Sequence, residues 1–378
     1  MKITILSSAH NYNDDRLYHH FAKTLVQKKH RVHIVTSESD FETEGEISIS
    51  SFKGLNFNRK QKIDIYIEKL SQFNPDVIIC LEPLTIIAAK KYTKNKNVKI
   101  IYDITEWYPS KNLLEKHPYV LRIFYAIPYF IVFLYSCSLS DGFIFGEYYK
   151  GRIPKKLFSK KKSVHISYYP KKEYILKTEP NISNNLLRLS YSGTLSKDKG
   201  LMNFLNVLKE LIHNNVNLKI QVKIIGKFDP KEKETFLKLI NKLDDKVTFT
   251  FYDFIELSKY IKLINDTDVF LDLRAANFMN SYDLPIKLFY FIALQRPVIY
   301  SDLIAIRKEI DIKKIGHLVD PTDAKKIAQL IKNYQENEIS YISHCTNARN
   351  LFETKYNWTA IETKFTNTIE SLIINNQV

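Results

Sequence analysis

Short runs of β-branched and apolar residues alternate along the chain with segments in which apolar residues recur at helical spacing. The runs in the first half are KITILSS, RVHIVT, DVIICL, KIIYDI and DGFIFG, and those in the second half are LLRLSYS, VKIIG, KVTFTF, DVFLDL, PVIYS and HLVD. Between the first two runs, residues 15–30 place Leu17, Phe21 and Leu25 on one helical face. This alternation is typical of βαβ units and predicts an α/β protein with parallel sheets.

The chain has 378 residues, which is too long for one ordinary core and suits two domains. A basic, strand-poor stretch from Gly151 to Pro180 separates the two series of strands. We therefore predict two Rossmann-like, doubly wound domains facing a cleft, one over residues 1–175 and one over 176–355. Residues 356–378 form an amphipathic pattern that predicts a final helix.

Composition excludes several classes of protein. Hydrophobic residues make up 45% and charged residues 26%, a globular balance that excludes a disordered chain. The three cysteines lie far apart, which excludes a disulfide framework or zinc ribbon and indicates a reducing compartment. The first residues, MKITILSS, lack the long apolar region of a signal peptide, so we expect a cytoplasmic protein. The segment SSAHNYNDDR after the first strand has no glycine, which argues against a nicotinamide or flavin site there.

The second half opens with 190-SYSGTLSKDKG-200, a strand that runs into a glycine turn and then a helix. Gly193 lets the backbone approach a ligand, Thr194 and Ser196 offer hydroxyl groups, and Lys199 lies beside a helix start that favours anions. The segment can form a diphosphate cradle. An ordinary strand–turn–helix connection explains the same residues and stays open as an alternative.

A second basic position follows in 282-YDLPIKLFYFIALQRPVIYSD-302. Pro285 suits the first turn of a helix, and Lys287 then lies on that turn. A lysine there can meet a phosphate at the same edge of the sheet, or it can be a solvated surface side chain.

The order of these segments resembles glycosyltransferase family 4, within the glycosyl transferases group 1, which has the GT-B fold. The resemblance rests on SGTL followed by KG, a strand ending in Gly226, DLPIKLF, ALQRPVIYSD and GHLVDPTD. In the first half it rests on NDDRLYHHFAKTL, PDVIICLEPLTIIAA and IIYDITEWYP, and near the end on RNLFETKYNW. The family's last helix usually crosses back to the first domain, which is what we expect of residues 356–378.

The resemblance implies transfer of a sugar from a nucleotide diphosphate sugar with retention of configuration, without a metal or other cofactor. It implies a donor site at Gly193, Thr194, Lys199, Gly200, Gly226, Pro285, Lys287 and Tyr290. In the first domain it implies catalytic positions at Asp103, Thr105 and Glu106 and acceptor contacts from Asp15 and Arg16. Helix capping or a local loop hydrogen bond explains Asp103 equally well, and Asp15 and Arg16 can simply pair with each other.

Several family signatures are replaced in this chain. Tyr290 stands where the family usually has a ribose-binding glutamate, Gln295 replaces a glycine, Leu81 and Thr105 replace histidines, and Thr194 replaces an arginine. Three readings therefore stay open: a glycosyltransferase with a rebuilt site, a non-catalytic paralogue that acts as a partner or scaffold, and a sugar-nucleotide epimerase.

The formal net charge is +15, and its distribution is uneven. Residues 150–177 carry ten Lys or Arg and one acid, next to the uncharged segment from Ile123 to Ser140. Because a transmembrane span there would split the sheet, we predict peripheral attachment to anionic lipid at the inner face of the membrane. The predicted partners are a nucleotide-sugar donor, a lipid-linked or saccharide acceptor and the membrane surface. Nucleic acid is not expected, because no recognition module accompanies the basic residues.

Overall fold

The computed structural model describes residues 1–106, 108–109, 114, 117–176, 178–215, 217–243, 245–253 and 255–374. The chain divides into two compact units: Met1–Tyr168 together with the segment from Ile361, and Tyr169–Ala360. The sequence places these boundaries seven residues later at the first junction and five residues earlier at the second. The last four residues of the expected final helix, 375–378, lie outside the described residues.

Within its described residues, the first unit has an eight-stranded sheet in the order β3-β4-β2-β1-β5-β6-β7-β8. Its strands pair in parallel except β3, which runs antiparallel to β4. The strands are β1 (Lys2–Ser7), β2 (Arg31–Thr36), β3 (Phe41–Thr43), β4 (Ile47–Ser51), β5 (Val77–Cys80), β6 (Lys99–Ile104), β7 (Gly142–Phe145) and β8 (Lys162–His165).

Helices flank this sheet and pack apolar side chains against it. The α-helices are α1 (Lys23–Gln27), α2 (Arg59–Phe73), α3 (Pro83–Tyr92), α4 (Arg122–Leu139) and α5 (Tyr148–Leu157), with short 3-10 turns at Gly54–Asn56 and Tyr119–Leu121. The helix expected over 15–30 begins as a π-helix, Asp15–Ala22, and continues as α1. Asp14 caps it by accepting hydrogen bonds from the backbone N–H groups of Arg16 (2.9 Å) and Leu17 (3.2 Å).

The second unit contains two three-stranded parallel sheets in its described part, ordered β11-β10-β9 and β12-β13-β14. They adjoin where the backbone N–H of Asp268 donates to the carbonyl of Arg188 (2.8 Å). The strands are β9 (Leu186–Ser192), β10 (Lys219–Ile225), β11 (Val247–Tyr252), β12 (Phe270–Asp272), β13 (Val298–Ser301) and β14 (Gly316–Val319). With β9 beside β12, the strands follow the Rossmann order.

Apolar cores on both faces of these strands fix the second unit. Its helices are α6 (Leu201–Asn214), α7 (Lys233–Ile240), α8 (Leu257–Ile264), α9 (Phe278–Ser281), α10 (Lys287–Ala293), α11 (Ile304–Glu309), α12 (Ala324–Glu336), α13 (Glu338–Thr354) and α14 (Thr359–Ile374), with 3-10 turns at Lys172–Tyr174 and Ile312–Lys314. From Ile361 onward α14 belongs to the first unit, where Phe365 stacks on Phe21 with ring centroids 4.3 Å apart. The predicted α/β class with two Rossmann-like units is thus confirmed.

Candidate functional site

Each unit reverses its strand order at one point, and polar side chains follow the strands there. In the first unit the chain passes from β1 to β2 and β4 on one side, and then places β5 on the other side of β1. In the second unit β9 and β12 hold the corresponding positions. Open α/β sheets bind ligands beyond the carboxyl ends of strands at such switch points, so these two edges are the candidate sites.

Two glycines bring the loops after β9 and β10 together. Gly193 has a φ of +113° and donates its N–H to the carbonyl of Ile225 at 2.9 Å. Gly226 has a φ of +135°, and a Cβ built there would lie 2.0 Å from the carbonyl oxygen of Gly193. Because no side chain fits at Gly226, the predicted glycine is a packing requirement of the site.

Gly200 is a third glycine in the left-handed region, with a φ of +92°. A Cβ there would lie 2.3 Å from the carbonyl oxygen of Leu273 in the segment after β12. Gly200 therefore lets α6 begin directly against that segment. The loop 193–200 and the end of β12 form one continuous surface as a result.

A buried ion cluster stands at the end of β12. Arg274 donates through Nε and Nη2 to the two carboxylate oxygens of Asp272, each at 2.9 Å. Lys287 Nζ lies 3.0 Å from Asp272 Oδ2 and also donates to the carbonyl of Ser192 at 2.7 Å. Burial opposes ionisation of Asp272, but the charges of Arg274 and Lys287 outweigh it and hold the pKa of this carboxyl below its usual range.

Lys199 and Lys287 lie in one electrostatic environment. Lys199 Nζ donates to Asn280 Oδ1 at 2.9 Å, and Lys287 Nζ lies 3.8 Å from the position that a Cβ on Gly193 would take. Burial lowers the pKa of Lys199, and the charge of Arg274 adds to this effect. Burial also lowers the pKa of Lys287, with Arg274 and Lys199 acting in the same direction and Asp272 opposing them. Both ammonium groups are thus short of solvent, and an anion would offset this.

The remaining predicted donor residues lie at different depths. Thr194 is exposed on the glycine loop, and Pro285 precedes α10, where its carbonyl accepts from the N–H of Leu288 at 3.2 Å. Tyr290 is only 2% exposed and packs in the core, edge-on to Tyr260. The predicted contact between the Tyr290 ring and a nucleoside does not fit this placement, because a buried ring has no free face for a base.

The first unit presents a histidine–carboxylate pair at its switch point. Glu82, directly after β5, accepts from Ser7 Oγ (2.8 Å) and from the backbone N–H of Ser8 (2.7 Å), and its Oε1 lies 3.1 Å from His10 Nδ1. Burial lowers the pKa of His10, but the hydrogen bond and the charge of Glu82 outweigh it and raise the value to about 9. His10 therefore carries a positive charge at neutral pH, on a side chain that is 27% exposed.

Asp103 and Arg16 form a closed ion pair. Arg16 donates to both oxygens of Asp103, through Nε at 2.6 Å and Nη2 at 2.8 Å, and its Nη1 donates to the carbonyl of Ile166 at 2.9 Å. The Asp103 side chain has no exposed surface and that of Arg16 has 6%. The predicted catalytic role of Asp103 and acceptor role of Arg16 do not fit this burial, because neither side chain can touch a substrate.

The other first-unit candidates are more varied. Thr105 is buried, and its carbonyl accepts from Lys150 Nζ at 2.7 Å. Glu106 is exposed after β6. Asp15 is 29% exposed, and its Oδ1 lies 3.4 Å from His20 Nδ1. Of the predicted residues in this unit, Glu106 is the carboxylate that solvent reaches most freely.

Sequence reasoning missed Glu82, Asp272 and Arg274 as site residues. An available signal was their position, since each closely follows a short apolar strand, in VIICLE and in VFLDLR. No group of three or more His, Cys, Asp or Glu side chains suited to a metal ion occurs among the described residues.

Comparison with known proteins bears first on the second unit. Residues 187–337 match the family model of glycosyl transferases group 1. The second unit is thus similar to the glycosyl transferases group 1 domain over most of its length. The matched segment runs from β9 through α12 and contains the whole Lys199, Asp272 and Lys287 cluster. Assignment to family 4 within group 1 stays a prediction.

Solved structures match nearly the whole chain. Sucrose-phosphate synthase from Thermosynechococcus elongatus has a TM-score of 0.74 at 14% identity, with 99% of each chain covered. HepE of Anabaena in complex with UDP has a TM-score of 0.69 at 12% identity, with 98% of this chain and 100% of HepE covered. The lipopolysaccharide outer core galactosyltransferase WaaB has a TM-score of 0.64 at 14% identity, with 98% and 99% covered. The chain thus has the GT-B fold. A search of curated protein sequences gives no significant match.

Proposed function

We propose that this GT-B glycosyltransferase moves a sugar from a nucleotide diphosphate sugar to a saccharide or a lipid-linked acceptor. The observation that carries the proposal is the pair of ammonium groups of Lys199 and Lys287 beside the Gly193 loop. A diphosphate is the group of the donor that such cations bind. The glycines leave the backbone of the loop open to close approach.

The chemistry follows from where charge develops. Departure of a nucleoside diphosphate builds negative charge on its phosphate oxygens, and fixed ammonium groups stabilise that charge in the transition state. Asp272 holds Lys287 in position and is itself neutralised by Arg274. Since side chains supply these cations, we propose that no metal ion is needed. Retention of anomeric configuration is proposed on the family resemblance, and the anomer of the product, measured by NMR, tests it.

A cleft in the first unit suits a saccharide acceptor. Its volume is about 720 Å³, and it lies between the segment of the π-helix and α1 on one side and strands β3 and β4 on the other. Tyr12 and Phe41 stack beside it with ring centroids 4.3 Å apart. Aromatic faces with polar neighbours are suited to sugar rings, which have one apolar face. The cleft is lined by Tyr12, Asn13, Tyr18, His19, Lys23, Val26, Gln27, Phe41, Thr43, Glu46, Ile47 and Ile49.

The proposed setting is the cytoplasm, at the inner face of the membrane, where a lipid-linked acceptor or a growing cell-surface polysaccharide is available. What supports a peripheral location is the exposed apolar surface of α4. The acceptor site and the membrane surface would then both belong to the first unit.

A second candidate function is that of a non-catalytic paralogue. The burial of Tyr290 favours it, because Tyr290 stands at the position of the family's ribose-binding glutamate and its buried side chain cannot take over contact with a ribose. Such a protein could bind a nucleotide sugar without turning it over. An epimerase would release a rearranged sugar, so product analysis separates the three functions.

Thermal-shift screening against UDP-, GDP- and other nucleotide diphosphate sugars tests the proposal. At a concentration about one hundredfold above Kd, a donor should stabilise the protein by about 2.7 kcal/mol, which raises the midpoint by a measurable amount. The nucleoside diphosphate alone should give part of the shift, since the proposed contacts are to phosphate. No shift with any nucleotide sugar or nucleoside diphosphate would contradict a donor site.

A further inference from the structure

The helix α4 carries an apolar face that the described residues leave uncovered. Among the described residues, ten large apolar side chains between residues 119 and 135 are exposed. Five of them share one side of α4 at spacings of one, three and four residues, with exposed fractions of 55–74%. We call these five the outer stripe: Ile123, Phe124, Ile127, Ile131 and Tyr135.

The opposite side of α4 holds the helix to its own unit. Phe133, Ser136 and Cys137 are buried, and Phe130 and Leu134 pack against the core of the first unit. The segment 119–139 is long and apolar enough to cross a membrane, with a mean hydropathy of 1.7. Only 17% of its most apolar window is buried within the protein. If α4 crossed a membrane, Phe133 and Cys137 would have to leave the core of the first unit. We therefore expect α4 to remain packed against that unit.

We propose that the outer stripe of α4 enters the apolar layer of an anionic lipid bilayer, with the helix axis in the plane of the membrane. This inference rests on the peripheral location in the proposed function and names the surface responsible. From Ile123 to Tyr135 the stripe spans thirteen residues, about 18 Å of helix at a rise of 1.5 Å per residue. Helices of this kind bury one apolar side at the boundary between head groups and acyl chains.

The absence of charge favours lipid over a protein partner. No charged residue occurs from Ile123 to Ser140. An interface with a soluble protein has a polar rim that meets water, whereas a side chain in the acyl layer meets none. Large exposed apolar patches on soluble proteins mark interaction surfaces. An uncharged surface of this length suits the acyl layer of a bilayer, which contains no water.

Cations stand at both ends of the stripe. Arg122 begins α4, and at the other end Lys161 Nζ donates to the carbonyls of Cys137 (2.8 Å) and Ser138 (2.7 Å). That contact places the loop after α5 beside the end of α4. The side chains of Lys156 and Lys160 are exposed in or near this loop. Anionic head groups are the complementary surface.

Of the five lysines between residues 155 and 162, three make contacts within the first unit. Lys161 is used in capping α4, Lys162 Nζ donates to the carbonyl of Ser371 at 2.6 Å, and Lys155 Nζ lies over the Phe145 ring at 5.2 Å. Lys156 and Lys160 remain for head groups. We therefore expect the apolar stripe to supply most of the binding and salt to weaken it only in part.

Flotation with vesicles tests the inference, using phosphatidylcholine with or without phosphatidylglycerol. The unmodified chain should float with the anionic vesicles, and Ile127→Glu with Ile131→Glu should lower partitioning by about tenfold or more. Leu55→Glu is the matched control, because Leu55 is a 94% exposed apolar residue of the same unit. It should float like the unmodified chain. Lys156→Gln with Lys160→Gln should reduce binding to anionic vesicles only.

Three outcomes would overturn the inference: no flotation of the unmodified chain, equal flotation of the Ile127/Ile131 variant, or an equal loss in the Leu55 variant. Size-exclusion chromatography with light scattering, without lipid, covers the alternative of self-association. A dimer that the paired glutamates convert to monomer, with no flotation, would assign the stripe to a second copy. Should the glutamates unfold the chain, the pair Ile127→Ser and Ile131→Ser gives the same comparison. Nucleotide-sugar thermal shifts of these variants should be unchanged, which separates failure here from failure of the proposed function.

Discussion

At the residue scale, two buried aspartate–arginine pairs have different roles. Asp103 and Arg16 form two hydrogen bonds with each other and have almost no exposed surface. Asp272 is equally buried beside Arg274, but it also holds Lys287, whose side chain is 21% exposed. The first pair therefore stabilises the fold of the first unit, whereas the second positions the Lys287 ammonium group at the edge of a candidate site.

Replacing Arg16 by Ala should therefore affect folding. Removal of one partner leaves Asp103 buried and uncompensated, which costs about 3–5 kcal/mol. Urea unfolding of the first unit should show the loss, and Arg31→Ala, at an exposed position, should not. A normally stable Arg16→Ala protein that had lost acceptor binding would restore the acceptor role that the sequence assigns to Arg16.

The pair of His10 and Glu82 makes a prediction about pH. Glu82 outweighs burial and raises the pKa of His10 to about 9 in the folded protein, against about 6.5 for an unperturbed histidine. The stability that the charged His10 contributes is therefore complete below about pH 6.5 and is lost as the pH rises through about 9. Glu82→Gln should bring the pKa of His10 down by removing the charge. NMR titration of the imidazole measures this. His33 serves as the internal control, because burial lowers its pKa to about 4 and Glu82 is not among the groups that shift it. An unchanged His10 titration in Glu82→Gln would show that Glu82 does not control the imidazole.

At the element scale, the second unit's site depends on three strand-to-helix connections that touch through backbone. Gly226→Ala places a methyl group 2.0 Å from the Gly193 oxygen at a φ of +135°. We expect a loss of about 2–5 kcal/mol in the free energy of unfolding, from strain and overpacking together. Gly45→Ala is the control, since no described residue has an atom within 4 Å of its Cβ position. Its free energy of unfolding should stay within about 0.5 kcal/mol of that of the unmodified chain. Equal stability of the two variants would contradict the close packing of the loops.

The strand patterns predict the central strands of both sheets, because buried parallel strands are continuous apolar runs. They miss β3, β4 and β8, whose short sequences FET, ISISS and KSVH are largely polar and half-buried or exposed. The residues of the glycine loop and Lys287 could be predicted from local motifs. The positions of Asp272 and Glu82 at strand ends are visible in the sequence, but their roles are not, because those roles depend on contacts such as that of Glu82 with Ser7, 75 residues away.

At the scale of the whole molecule, the two units each have their own core and their own switch-point chemistry. The second unit carries the cations that we propose for the donor diphosphate. The first carries a charged histidine, a cleft with aromatic walls and the outer stripe of α4. A transferase needs a donor site and an acceptor site, and this division supplies one candidate for each.

Calorimetric titration of the chain with a nucleoside diphosphate tests the central claim most directly. Lys199→Ala and Lys287→Ala should each weaken binding by about 1–3 kcal/mol, on the order of tenfold or more in Kd, because each removes a charged hydrogen-bond donor to phosphate. Lys197→Ala is the matched control, as an exposed lysine of the same loop. The account predicts weaker binding in the first two variants and unchanged binding in the third. Equal affinity of all three variants and the unmodified chain would contradict the donor site.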